Sequence, residues 1–146
     1  MSILSIKVSL RHRARELVLQ ALYASEQGDA APNEDFSNIV DAEPLPDRAL
    51  QFARQLYDLT QTHRRWADER ISQLAENWEI NRMAAVDLAI LRMAIVELQY
   101  VVDVPVKVVL NEAIELAKTF STDDSSAFVN GILDNFVKQM EGSSRD

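Results

Sequence analysis

Apolar residues recur at three- and four-residue steps along almost the whole chain, and no stretch alternates in the two-residue period of a half-buried strand. The pattern predicts an all-α protein of about six or seven helices, with no internal repeat at a fixed period. Within residues 10–27, Ala14, Leu17, Val18, Ala21 and Leu22 form one stripe, and Gly28 supplies a stop. Residues 28–46 are acidic, carry Pro32, Pro44 and Pro46, and hold at most one short helix around 33–40. A connector of that length needs structure of its own in a compact domain. Helical spacing resumes after Asp47 with Leu50, Ala53, Leu56, Tyr57 and Thr60, and continues through Trp66, Ile71, Leu74 and Trp78. Residues 60–64 fit either a bend or an unbroken helix.

The stretch 83–101 differs in character. Met83, Val86, Leu88, Ile90, Leu91, Met93, Ile95, Val96 and Leu98 point in nearly every direction, which predicts a central helix surrounded by others. Asp103-Val-Pro105 reads as cap and first turn of a further helix, with Val106, Val109, Leu110, Ala113, Leu116, Ala117 and Phe120 on its apolar face. Ser121-Thr-Asp-Asp-Ser125 offers caps for a last helix, whose stripe is Val129, Ile132, Leu133, Phe136 and Met140. Residues 1–10 are read as an N-terminal extension, 11–140 as one helical domain, and 141–146 as a polar tail.

Composition narrows the chemistry. Among 146 residues there is no cysteine and there are three glycines, which excludes thiolate metal sites, cysteine nucleophiles and a phosphate-cradling glycine loop. No apolar run approaches the roughly 20 residues that cross a bilayer. Lys7 and the arginines follow the first apolar residues, the reverse of a secretory signal. These features predict a soluble, cytoplasmic protein. The net charge is −8, yet residues 1–20 carry Lys7, Arg11, Arg13 and Arg15 against Glu16, a local +3 that leaves −11 elsewhere. A basic arm on an acidic body docks an anion at one place and does not coat nucleic acid.

Catalytic candidates are few. His12 lies among arginines, which suits phosphate contact better than general-base work, and His63, beside Arg64 and Arg65, reads as a solvated helix residue. Neither sits at metal-ligand spacing. The run Arg11-His-Arg-Ala-Arg15 stands at the predicted helix start, where cations oppose the macrodipole. It is either a solvated, slightly unfavourable first turn or a site waiting for an anionic partner. Arg11 and Arg15 fall one turn apart at the edge of the buried stripe. Asp87 points the same way as Ala94 and Leu98, where a carboxylate without a partner is costly. Arg92 and Glu97 on that helix are expected to pair within the fold or reach a helix end. Phe128, at the edge of its stripe, serves either core packing or base stacking.

The segments Arg11-His-Arg-Ala-Arg-Glu-Leu-Val-Leu-Gln-Ala-Leu-Tyr23, Ala89-Ile-Leu-Arg-Met-Ala-Ile-Val-Glu-Leu98, Val104-Pro-Val-Lys-Val-Val-Leu-Asn-Glu-Ala-Ile-Glu-Leu-Ala-Lys118 and Phe128-Val-Asn-Gly-Ile-Leu-Asp134 resemble, in order, four motifs of the bacterial transcription antitermination factor NusB family. The resemblance implies two small three-helix subdomains packed together and a function without catalysis, metal or cofactor. NusB-like proteins pair with NusE, a small ribosomal subunit protein, and bind single-stranded boxA RNA in nascent ribosomal RNA leaders. The complex is presented to RNA polymerase, so that transcription passes termination signals; no membrane is involved.

Carried onto this sequence, the resemblance implies RNA contacts by Arg11, His12, Arg13 and Arg15, with Phe120, Asp124 and Phe128 beside the RNA and Tyr23 and Asp87 near the NusE and RNA junction, on the NusE-binding side. His12 stands where the family more often has arginine, a departure that bears on RNA affinity and its pH dependence. The same domain precedes some ribosomal RNA cytosine methyltransferases, but this sequence has neither a glycine-rich cofactor loop nor a cysteine. The competing class is a helical interaction module or homodimer in which the arginine arm meets an acidic protein surface.

Overall fold

A computed structural model describes residues 3–28, 32–75 and 79–143, and the predicted stripe residue Trp78 lies outside them. The described residues form seven α-helices: α1 Ile3–Gln27, α2 Pro32–Ala42, α3 Asp47–Thr62, α4 Arg64–Leu74, α5 Ala85–Tyr100, α6 Val106–Phe120 and α7 Asp123–Ser143, with a 3-10 turn at Ile80–Arg82 before α5. They fall into two compact units, 1–59 and 60–146.

In the first unit, α1 starts well before the predicted residue 10, so the arginines lie beyond its first turn. The macrodipole acts only within that turn, and the expected repulsion at Arg11–Arg15 is therefore absent. The predicted stripe Ala14, Leu17, Val18, Ala21 and Leu22 is fully buried. Gly28 N–H donates to the Ala24 carbonyl at 2.9 Å and closes the helix. The connector helix α2 is longer than predicted and anchors itself by Phe36, whose ring lies 4.9 Å from that of Tyr57 on α3. Such an aromatic pair adds about 0.5–1.5 kcal/mol beyond its buried area.

In the second unit, α4 is separate from α3, with His63 at the break, so four helices stand where the resemblance implies three. His63 is not a solvated helix residue. Its ring stacks on Tyr100 at 3.9 Å, Trp66 meets Tyr100 and Phe136 edge-on at 5.5 and 6.2 Å, and the Arg70 guanidinium lies 5.5 Å from the Phe136 ring. This ladder ties α4 to α5 and α7, and no pattern within one helix announces it. Every residue of α5 from Asp87 to Leu98 is buried, as an all-round apolar helix requires. Arg92 is neutralised there by a two-pronged pair with Asp68 of α4, Nε and Nη2 donating at 2.6 and 3.0 Å.

The cap read at Asp103 is absent. Asp103 sits in an exposed turn, Pro105 occupies the boundary position, and α6 has no side-chain cap; the Val108 and Val109 N–H groups donate to the Pro105 carbonyl at 3.0 and 3.3 Å. The Ser121–Ser125 run does cap α7. Thr122 Oγ1 accepts the Ser125 N–H at 3.1 Å, and Asp123 and Asp124 sit in the first turn, where the dipole favours acids. Among the described residues, no helix is long and apolar enough to cross a membrane.

Candidate functional site

The arginine arm resolves into three different environments on α1. Arg11 is exposed, and its guanidinium lies 4.7 Å from the centre of the Phe52 ring of α3. Among the described residues it has no carboxylate within ion-pair distance. The ring face holds the side chain in place without neutralising it, so its five donors stay available to an anion. Arg13 is committed elsewhere: Nη1 donates to Glu16 at 3.0 Å, and Nη2 pairs with Glu43 beyond α2. His12 lies 4.0 Å from Glu16. Arg15 is 2% exposed, with its guanidinium 4.9 Å from the same Phe52 ring, so it belongs to the core. Arg15, which the motif implies as an RNA contact, thus shares the Phe52 ring with Arg11 from the buried side. Tyr23 is 41% exposed near the other end of α1, about 18 Å beyond Arg11 at 1.5 Å per residue.

In the second unit the structure brings together Asp87, Asp124 and Phe128. With Arg82, Met83, Ala84 and Ser125 they line a cavity of about 220 Å³ between the start of α5 and the start of α7. Of these residues Ser125 was legible in the sequence only as a helix cap, and Arg82, in the turn before α5, carried no sequence signal. Ser125 is the hub. Its Oγ receives the hydroxyls of Ser121 and Thr122 at 2.9 and 3.0 Å, and donates to Asp87 Oδ2 at 2.8 Å. Asp87 is buried in the first turn of α5, where the helix dipole favours its charge. Its Oδ1 is also buried and has no hydrogen-bond partner among the described residues. Leaving a buried acceptor unmet costs about 1–3 kcal/mol. Phe120, at the last position of α6, is 37% exposed and is not part of this lining.

Aromatic faces and an acceptor-rich cavity in one unit, and a held but unneutralised guanidinium in the other, are elements of single-stranded RNA recognition. The comparisons agree with the motifs. The transcription antitermination protein NusB of Symbiobacterium thermophilum is 44% identical over 142 residues, covering 92% of this chain and 93% of its own. Among solved structures, NusB of T. maritima is 36% identical with a TM-score of 0.83, covering 88% of this chain and 91% of that one. A crystal structure of antitermination factors NusB and NusE in complex with double-stranded RNA contains a chain 24% identical, with a TM-score of 0.83 over 90% of this chain and 98% of that one, a likeness of fold. With the NusB family profile matching residues 12–138, this chain belongs to the NusB family.

Proposed function

We propose that this chain is a non-catalytic, cytoplasmic RNA adaptor of transcription antitermination, which pairs with NusE, holds boxA RNA and delivers it to RNA polymerase. The observation that carries this reading is similarity along nearly the whole chain to an antitermination protein of the same length class. In this reading Arg11, His12 and Arg13 meet RNA phosphates, Phe120 and Phe128 stack bases, and Tyr23 and Asp87 lie toward NusE. Physical chemistry supplies the need for a partner. Affinity for single strands scales with the phosphates neutralised, and a short arm whose Arg13 is already paired and whose Arg15 is buried, on a body at −11, neutralises few. A basic partner surface lengthens the positive track.

Fluorescence anisotropy of a labelled boxA-type RNA, with and without NusE and at two salt concentrations, tests the reading. Weak binding alone and much tighter binding with NusE are expected; no binding under any of these conditions overturns it. Asp124 refines the test. It is exposed beside Asp123 in the first turn of α7, so its charge opposes RNA while favouring the helix. Asp124→Asn is expected to bind RNA as well as the parent or a few-fold better, at a stability cost of about 0.5 kcal/mol. A large loss of affinity in the same titration would mean that the carboxylate makes a required contact.

A further inference from the structure

A separate cavity of about 550 Å³ opens between α1 and the start of α3, within the first unit. Among the described residues its wall is Leu10, Arg11, Pro46, Asp47, Arg48 and Ala49. Leu10, Pro46 and Ala49 make it apolar in part. Its charge comes from two guanidiniums and one carboxylate, a local +1 on a chain whose net charge is −8. Arg11 is exposed and rests on the Phe52 ring, and Arg48 is exposed one helical turn before Phe52 on α3. Residues four apart share a helix face, so Arg48 and the ring that carries Arg11 lie on one side of α3. Neither arginine has a hydrogen bond or ion pair among the described residues, and nor does Asp47.

The fold gains nothing from Arg48. It stands in the first turn of α3, where a cation opposes the helix dipole and Asp47 beside it is favoured. Two unpaired guanidiniums at one cavity also repel each other. An anion bound between them removes both costs, and the planar guanidinium fork is matched to phosphate. The apolar part of the wall selects among anions. A free phosphate is hydrated on every side and leaves Leu10, Pro46 and Ala49 uncovered, whereas a phosphate joined to a sugar covers them. Continuity with Arg11 favours a sugar–phosphate backbone over an acidic peptide.

We propose that Arg48 is a second phosphate contact of the RNA track, and that the cavity seats one nucleotide, its flanking phosphates on Arg11 and Arg48 and its sugar on Leu10, Pro46 and Ala49. The inference rests on the RNA-adaptor reading and carries the track from α1 onto α3, a helix that no motif of the sequence pointed to. Contacts of this kind position the strand without reading it, so any base is accepted at that nucleotide.

The test titrates the NusE-bound protein with a boxA-type RNA over a range of salt. Arg48→Ala is expected to weaken binding about fivefold, the upper end for an exposed ion pair, and to lower the slope of log affinity against log salt by about 0.7. Arg48→Lys keeps the charge and should keep the slope. Arg65→Ala, which removes another exposed arginine on α4 in the other unit, should leave it unchanged. Thermal unfolding of Arg48→Ala is expected at or slightly above that of the parent, because the lost cation opposed the dipole. The phosphates of the RNA are then neutralised singly as methylphosphonates. One linkage is expected to matter to the parent but not to Arg48→Ala, and a neighbouring one to the parent but not to Arg11→Ala. If the two linkages are not neighbours, the single-nucleotide seat is overturned. If the parent binds RNA but Arg48→Ala keeps its slope, or Arg65→Ala loses as much, the inference is overturned while the adaptor reading stands. It is equally overturned if Arg48→Ala weakens NusE binding without RNA, since the cavity then serves a protein acid. No RNA binding by the parent sinks both.

Discussion

Asp68→Ala is expected to destabilise the protein by about 3 kcal/mol, measured as a shift in the midpoint of urea unfolding with the slope unchanged. Arg92 sits in the buried stretch 87–98 of α5, its side chain 8% exposed, and Asp68 is the carboxylate that receives it with two hydrogen bonds. Removing the acid takes away the carboxylate that receives Nε and Nη2 of a guanidinium in a low-dielectric interior, and the desolvation cost already incurred is less fully offset. The pair itself need not be a large net gain. A double variant, Asp68→Leu with Arg92→Met, is therefore expected to recover most of the lost stability, because it removes both charges and fills the space. If the single variant costs less than about 1 kcal/mol, water reaches Arg92 and the pair behaves like a surface bridge.

That pair illustrates what could be read from the sequence and what could not. The all-round apolar pattern of 83–101 announced a buried central helix, and it made Arg92 an anomaly that needed a partner. Nothing local named Asp68, which lies 24 residues earlier on another helix. Asp87 was flagged in the same way as a costly carboxylate, and its donor Ser125 lies 38 residues on. The Ser121–Ser125 run looked like a set of helix caps, which it is, but its second use toward α5 exists only in three dimensions. The arginine arm gives the sharpest contrast. Helical spacing put Arg11 and Arg15 together at the rim of the stripe, one turn apart. A rim position does not say which of the two the neighbouring helix covers. Phe52 of α3 decides it, taking Arg15 into the core and leaving Arg11 at the surface. Likewise, the dipole argument failed because a stripe marks where a helix is buried, not where it begins.

Single arginine variants should therefore separate what a combined one confuses. Arg11→Ala is expected to weaken RNA binding by the NusE-bound protein roughly tenfold, and to reduce the slope of log affinity against log salt by about 0.7, the value for one phosphate contact on a single strand. Its thermal unfolding should stay where it was, because Arg11 is exposed and only rests on Phe52. Arg15→Ala should do the reverse. It empties a buried volume beside the same ring, costing about 2–4 kcal/mol by the usual scale for large-to-small changes, while the salt slope stays unchanged. Arg13 stands between them, held by Glu16 and Glu43. Releasing it with Glu43→Gln should raise RNA affinity by about two- to threefold, since one exposed ion pair competes for about 0.5 kcal/mol. The triple variant of Arg11, Arg13 and Arg15 to alanine would lose binding for two unrelated reasons, and only the salt slope of Arg11→Ala isolates the phosphate contact. An unchanged slope in that variant would place the phosphates elsewhere and leave the arm as packing for Phe52.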